Sequence, residues 1–300
     1  MFDWLGALVA DALEGDYLLV VAAFLLLAYG IWRITVKILD RPIDRRLQRF
    51  FGLTCQIGLT LMFERLYEFS RAHIAVDQLT ALAYSNGYRL LDFEITHGIF
   101  FEARLEQLFL PDQLLMHAIY GFYAFAHLFV TLGFLIWLYL RRNQAFSFVR
   151  NLFYLTTGVA LIVYMTFPVA PPRMFPNYGF FDPAQILHLA PAGGAQLTSY
   201  TYNPFAAMPS LHLVYALIVG GTLVVVGRHL WLRLAGALYP FLMLAVILIS
   251  ANHWIMDAFG AVVVVALSAL LLYLTTRTAS AARSFITAQG RQGFRAPGPG

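Results

Sequence analysis

Four ionisable side chains have types and spacings that could carry chemistry. His253 and Asp257, in Asn252-His-Trp-Ile-Met-Asp257, are four residues apart and share one face if that stretch is helical. A carboxylate there can hold one ring N–H of the imidazole and leave the other nitrogen as a nucleophile. His212 closes Pro209-Ser-Leu-His212, and Arg173 closes Pro168-Val-Ala-Pro-Pro-Arg173. A guanidinium can clamp phosphoryl oxygens through two parallel hydrogen bonds. Ser210 and Asn252 are plausible helix N-caps, and free N–H groups at helix N-termini attract phosphate. Nucleophile, orienter, general acid and electrostatic clamp are the parts of a phosphoryl-transfer site that needs no metal and no other cofactor.

Each residue also has a plainer reading. The two histidines and Asp257 could be polar groups that satisfy one another in helix packing. A His and an Asp four apart can ligate zinc, yet no third ligand stands at a convincing spacing. Arg173 could snorkel to an interface. Ser210 either caps a helix only or also touches phosphate. Asn203 and Tyr202 are candidate headgroup contacts or ordinary loop residues. His117 and His127 read as packing or cavity-lining residues. Glu64 and Arg65 read as paired or snorkelling at a membrane edge, and Glu94 and Glu102 as the wet face of surface helices.

The elements that must position these groups follow from composition. The chain has 300 residues, 60% hydrophobic and 12% charged, with a mean hydropathy of +0.69. Soluble domains carry roughly 25% charged residues, so this is a polytopic membrane protein. A soluble enzyme, a disulfide scaffold and a disordered regulator are excluded, and one cysteine, Cys55, allows no intrachain disulfide. The net charge of +4 reflects basic residues flanking apolar runs, which points to membrane orientation and not to nucleic acid.

A spanning helix needs about 20 mostly apolar residues. Seven stretches come close: 17–38, 50–67, 114–140, 151–168, 208–226, 234–250 and 254–276, with six spans and a re-entrant turn as the alternative. The second is interrupted by Glu64, Arg65 and Glu68. Arginines and Lys37 collect in alternate connections (37–49, 141–150, 228–233 and the tail), so the N-terminus is expected outside and the C-terminus in the cytoplasm. Residues 1–13 are expected to form a short interfacial helix. The outer loop 70–113 mixes apolar and charged residues, as one or two amphipathic interfacial helices would. The expected organisation is an outer N-terminal segment (1–16), two N-terminal spans (17–72), the amphipathic loop (73–113), a catalytic helix bundle (114–277) and a disordered basic tail (278–300). By this topology Arg173, His212, His253 and Asp257 all lie at the outer ends of their spans.

The motifs resemble those of a known family. Pro209-Ser-Leu-His212 is similar to the second signature of the type-2 phosphatidic acid phosphatase superfamily, and His253-x-x-x-Asp257 to its third. Pro168-Val-Ala-Pro-Pro-Arg173 resembles the first signature in the inositol phosphorylceramide synthase-like branch, and Gly98-Ile-Phe-Phe-Glu102 resembles that branch's outer loop in actinobacterial members. The resemblance runs from about residue 94 to 270. The chain departs from the ordinary pattern at Ile247, where an Arg is usual, at Thr166, where a Lys is usual, and at Met174, where a Pro is usual.

The resemblance implies that His253 attacks phosphorus to form a phosphohistidine, that Asp257 supports it, and that His212 serves as general acid and then base. Arg173, Ser210, Asn203 and Tyr202 would bind substrate. The substrate would be a membrane lipid phosphate or phospholipid in the outer leaflet of the cell membrane, and the acceptor water or an alcohol. Ile247 and Thr166 tilt the expectation from hydrolysis towards transfer. The alternative function is a lipid scramblase or transporter that reuses the bundle without chemistry.

Overall fold

The computed structural model describes residues 17–39, 44–72, 76–182 and 203–292. Among them lie nine helices: α1 (Tyr17–Leu39), α2 (Arg45–Ala72), α3 (Val76–Thr96), α4 (Glu102–Phe109), α5 (Gln113–Arg141), α6 (Asn143–Thr166), α7 (Leu211–Val226), α8 (Leu230–Ile249) and α9 (Ile255–Gln292). Two 3-10 turns, Pro172–Met174 and Pro176–Tyr178, follow α6. The protein is all-helical, and α1, α2, α5, α6, α7, α8 and α9 overlap the seven expected spans. Five of them, α1, α5, α6, α8 and α9, are long and apolar enough to cross a membrane. Helix α7 is equally apolar but shorter, and buries Leu213, Val214, Ala216, Ile218 and Val219 inside the bundle. Helix α2 is diluted by its terminal charges. The chain is thus a multi-pass membrane protein.

Two boundaries differ from expectation. Helix α6 begins at Asn143 and not near 151, so the basic connection is itself helical and only Arg142 separates α5 from α6. Helix α9 continues as far as Gln292, past the expected end of the last span at 276. Ala279, Ala281 and Ala282 are strong helix formers, and no proline follows before Pro297. The expected interfacial helix over 1–13 lies outside the described residues.

The core forms where α5, α6, α7, α8 and α9 meet, around Met116, Leu138, Phe153, Val214, Met243, Ile247 and Ala261. Helix α1 packs along α2, where Trp32 stacks on Phe51 at 4.7 Å, and it leaves Phe24, Leu27 and Ile38 exposed, as a lipid-facing helix would. Helix α2 meets α6 through Thr60 and Tyr154, whose hydroxyls are 3.0 Å apart, and through Arg150, whose Nη1 donates to Gln56 at 2.6 Å. The amphipathic loop is two helices, α3 and α4, joined by a turn at Gly98, whose φ of +67° is open to glycine without strain.

Successive long helices run in opposite directions. Helices α2 and α6 end, and α5, α7 and α9 begin, at one end of the bundle. The arginine-rich connections lie at the other. There Arg142 donates from Nε to the carbonyl of Val226 at 3.0 Å, which places a cation on an orphan acceptor at the C-terminus of α7. Helices α7 and α8 form the closest crossing. A Cβ on Gly220 would stand 2.4 Å from the Gly236 carbonyl oxygen, and one on Gly236 would stand 2.6 Å from the Leu223 Cβ. Gly220→Ala is therefore expected to force the helices apart and lower stability by about 1–3 kcal/mol. A lower melting temperature in detergent, with the helical circular dichroism unchanged at 20 °C or so, checks this.

Candidate active site

The site is built at the end of the bundle opposite the arginines. Its central piece is the turn between α8 and α9. Helix α8 stops at Ile249, and Ala251 takes a left-handed φ of +50°, a conformation that disfavours a residue with a Cβ. The turn is held from outside, because the carbonyl of Ala251 accepts from the N–H of Arg173 at 3.0 Å. Asn252 and His253 follow, and then Trp254, whose side chain is fully buried. The Trp254 indole donates to the carbonyl of Ala170 at 2.9 Å and meets Phe175 and Phe180 edge-on at 5.4 and 5.6 Å. One aromatic anchor thus locks the residue next to His253 against the segment that carries Arg173.

His253 is almost fully buried. Its Nδ1 lies 2.9 Å from the carbonyl of Ala207 and 3.2 Å from Oδ2 of Asp257. A carbonyl can only accept, so Nδ1 must carry the proton. The neutral ring then has a bare lone pair on Nε2, and Nε2 has no hydrogen-bond partner among the described residues. Asp257, on the first turn of α9, is fully buried behind the ring. Its Oδ2 also accepts from the Trp254 N–H at 2.9 Å, so one oxygen orients the imidazole and caps the helix.

His212 opens α7. Ser210 is its N-cap, fully buried, with Oγ accepting from the Leu213 N–H at 3.5 Å. The His212 ring stacks on Tyr123 of α5 at 4.0 Å between ring centres and meets His127 edge-on at 4.6 Å. The centres of the His212 and His253 rings are 5.9 Å apart. Tyr164, at the end of α6, donates to the carbonyl of Pro209 at 2.7 Å and fixes the approach to this helix. Arg173 donates from Nη1 to Oδ1 of Asn252. A cavity of about 220 Å³ is lined by Arg173, Asn203, His212, Asn252 and His253, with Glu64, Tyr67, Tyr123 and His127 from α2 and α5.

The structure therefore brings Arg173, His212 and His253 to one cavity and sets Asp257 behind it. Asn203 lines it too; its Oδ1 accepts from the Phe205 N–H at 2.9 Å, and its buried Nδ2 has no partner among the described residues. Ser210 is seen in its capping role. Asn252 does not cap α9, which starts three residues later, and instead holds Arg173. Tyr202 lies outside the described residues. Ile247 is buried in the apolar core, and Thr166 Oγ1 donates back to the Ile162 carbonyl of its own helix at 2.9 Å. His117 points away, with its ring nitrogen 2.7 Å from the Gln113 carbonyl.

Glu94 and Glu102 overturn the expectation of a wet surface face. Both are fully buried, as is Glu106. Glu102 Oε1 accepts from the Ile255 N–H at 2.9 Å, and Glu94 Oε1 accepts from the Met256 N–H at 3.2 Å. With Asp257 on the Trp254 N–H, three carboxylates occupy the amides that open α9. The expectation that this helix N-terminus greets phosphate is corrected by the same contacts. A signal was present in the sequence: Ala83, Gly87, Leu91 and Glu94 form one helical stripe, and Glu94 closes it as a buried member. Glu102 and Glu106, four apart, share a face of α4. Glu64, which the sequence reads as a membrane-edge group, is found at the cavity, and Tyr67 of the same helix lines it too.

Glu106 Oε2 accepts from the Phe181 N–H at 3.1 Å. Burial raises its carboxyl to about 7, Asp182 adds to the rise, and the Phe181 hydrogen bond opposes it. The unfolded chain releases this proton near the ordinary carboxyl value of 4.5, while the folded one keeps it. The contribution to stability is therefore complete below that value and is lost as pH rises to about 7. The melting temperature is expected to fall between about pH 5 and pH 7, and Glu106→Gln to flatten that interval while leaving the profile above it unchanged. Thermal scans across pH in one detergent check this.

A sequence model of the family described as the PAP2 superfamily matches residues 88–271, more than half of the chain. The matched stretch begins within α3, takes in all four ionisable site residues and ends within α9. No curated protein and no solved structure matches the chain.

Proposed function

The chain belongs to the PAP2 superfamily, and we propose on that premise that it is an integral-membrane lipid phosphotransferase or phosphatase working through a phosphohistidine on His253. The observation that carries this reading is the state of that ring. Its Nδ1 is committed to the Ala207 carbonyl and Asp257, and its Nε2, without a partner among the described residues, belongs to a residue that lines the same cavity as Arg173 and His212.

In the first step the Nε2 lone pair attacks phosphorus and a P–N bond forms. The bond from phosphorus to the leaving oxygen breaks, and protonated His212 gives its proton to that oxygen. Imidazolium builds up on His253 as it is phosphorylated, and the Asp257 carboxylate offsets that charge through Nδ1–H. In the second step neutral His212 takes a proton from the acceptor, whose oxygen attacks phosphorus. The P–N bond breaks, and His253 regains its lone pair. Arg173, held in place by Asn252, neutralises the phosphoryl oxygens through both steps. Asn203 Nδ2 is a further donor for them, with Tyr202 and Ser210 proposed beside it.

The finer assignments belong to this proposal. The substrate is a membrane lipid phosphate or phospholipid, and the acceptor is water or an alcohol. Transfer is favoured over hydrolysis, as in the inositol phosphorylceramide synthase-like branch, because Ile247 and Thr166 stand in place of the usual Arg and Lys. The site faces the extracytoplasmic side of the cell membrane, with the N-terminus outside and the arginine-rich end and C-terminus in the cytoplasm. The catalytic bundle is 114–277, to which α2 adds Glu64 and Tyr67 as cavity walls.

Incubating the purified protein with lipid phosphates and phospholipids, with chelator and with or without a polyol acceptor, should give a new phospho-headgroup lipid or free phosphate by mass spectrometry. His253→Ala should reduce turnover by about 10⁴-fold or more, and Asp257→Asn on the order of 10²–10⁴-fold. Full activity in His253→Ala would sink the mechanism. Flux of labelled lipid without chemical change would replace it with the scramblase reading.

A further inference from the structure

Glu94 and Glu102 take no part in the steps above, yet they are the two fully buried carboxyl groups that reach the helix behind His253. They come from different elements, α3 and α4, and converge on consecutive amides of α9, those of Met256 and Ile255. Glu102 Oε2 also accepts from the N–H of Phe101 at 2.9 Å, so both of its oxygens face backbone donors. Two carboxylates side by side in a buried site cannot both stay ionised, since they repel and neither is solvated.

We propose that Glu94 and Glu102 are positioning residues for His253: a carboxyl pair holding one proton, which occupies the amides opening α9 and fixes the turn that carries the histidine. This rests on the proposed role of His253 as nucleophile. The physical argument is one of register. Trp254, Ile255 and Met256 are the three residues after the histidine, and each has its N–H tied to a different carboxylate. If one acceptor is lost, the first turn frays, the His253 ring shifts from its place, and a displacement on the order of 1 Å at a reacting atom lowers the rate about 10²-fold.

The pair assigns the proton. Glu102 accepts from two amides, Oε1 from Ile255 and Oε2 from Phe101. Glu94 keeps the proton, because burial and the neighbouring Glu102 raise its carboxyl to about 9, with the Met256 N–H pulling the other way and Asp257 adding to the rise. The charged groups that face Glu94 are thus Glu102 from α4 and Asp257 from α9, both acidic. Above about pH 9 Glu94 loses its proton, and the new negative charge beside Glu102 and Asp257 pushes the helix end away.

The test uses full-length protein in detergent with Glu94→Ala, Glu94→Gln, Glu102→Ala and Glu102→Gln. Both alanine variants should lower kcat on the order of 100-fold while KM moves less than about threefold. Glu94→Gln should recover to within about threefold of wild type, because an amide reproduces a protonated carboxyl as acceptor and donor. Glu102→Gln should not recover, because its NH2 group would face the Phe101 N–H. Wild-type turnover should drop above about pH 9, and Glu94→Gln should lack that drop. Amide hydrogen exchange of the peptide covering 254–258 gives a second readout that needs no turnover. Exchange should quicken at least about tenfold in Glu102→Gln and in wild type above pH 9 after correction for intrinsic rates, and not in Glu94→Gln.

Equal kcat in wild type and Glu102→Gln, or the same alkaline drop in Glu94→Gln as in wild type, would overturn the proposal. If wild type turns over no lipid, the functional reading fails, and the exchange data alone decide whether the pair holds the turn. If Glu102→Gln does not fold, the alkaline profile of Glu94→Gln still decides.

Discussion

A helix that begins inside a protein must find acceptors for its first N–H groups, because each one buried without a partner costs about 1–3 kcal/mol. Helix α9 begins in such a place. Trp254 is fully buried, and Ile255 and Met256 are half-buried. Three carboxylates from three separate elements answer the demand: Asp257 from the helix itself, Glu102 from α4 and Glu94 from α3. The position of the two outer helices follows, since α3 and α4 must lie across the end of the bundle to deliver those groups. The placement of His253 follows as well, because the residue before Trp254 goes where the capped turn puts it.

The same economy of partners sets the chemistry of the imidazole. Its Nδ1 meets a carbonyl and a carboxylate at once, and both only accept, so the tautomer is decided by neighbours and not by pH. The Asp257 oxygen that does this is also the helix cap. Arg173 is handled in parallel: its backbone N–H supports the Ala251 carbonyl at a left-handed turn, and its side chain is held by Asn252. Backbone and side chain of one residue thus tie the loop after α6 to the turn before α9, with Trp254 and Phe175 sealing the join.

The bundle is polar at both ends in different ways. At one end arginines sit on helix termini, where Arg142 meets the last carbonyls of α7. At the other, acidic, imidazole and amide groups gather around a cavity walled by α2, α5, α6, α7 and the turn into α9. Between them the helices meet through apolar side chains and, at Gly220 and Gly236, through backbone alone. Where there is little hydrophobic force between helices in lipid, such close backbone approach is a chief source of association.

The sequence by itself determined the all-helical, multi-pass architecture, because apolar runs of spanning length leave the backbone no other way to satisfy its polar groups. It also placed Arg173, His212, His253 and Asp257 at one end, because alternating spans allow little else, and the motif spacing pointed to the family. Only the tertiary structure decided which neighbours those residues meet. Glu94 and Glu102 read as surface charges because a local pattern cannot show that another helix will offer them amides. Asn252 reads as a cap because nothing nearby in the chain announces Arg173. Glu64 reads as a membrane-edge residue because its path to the cavity runs through the packing of α2 on α6. Burial and hydrogen-bond partnership across more than a hundred residues of chain are properties of the packed state, and they turned three separate motifs into one cavity.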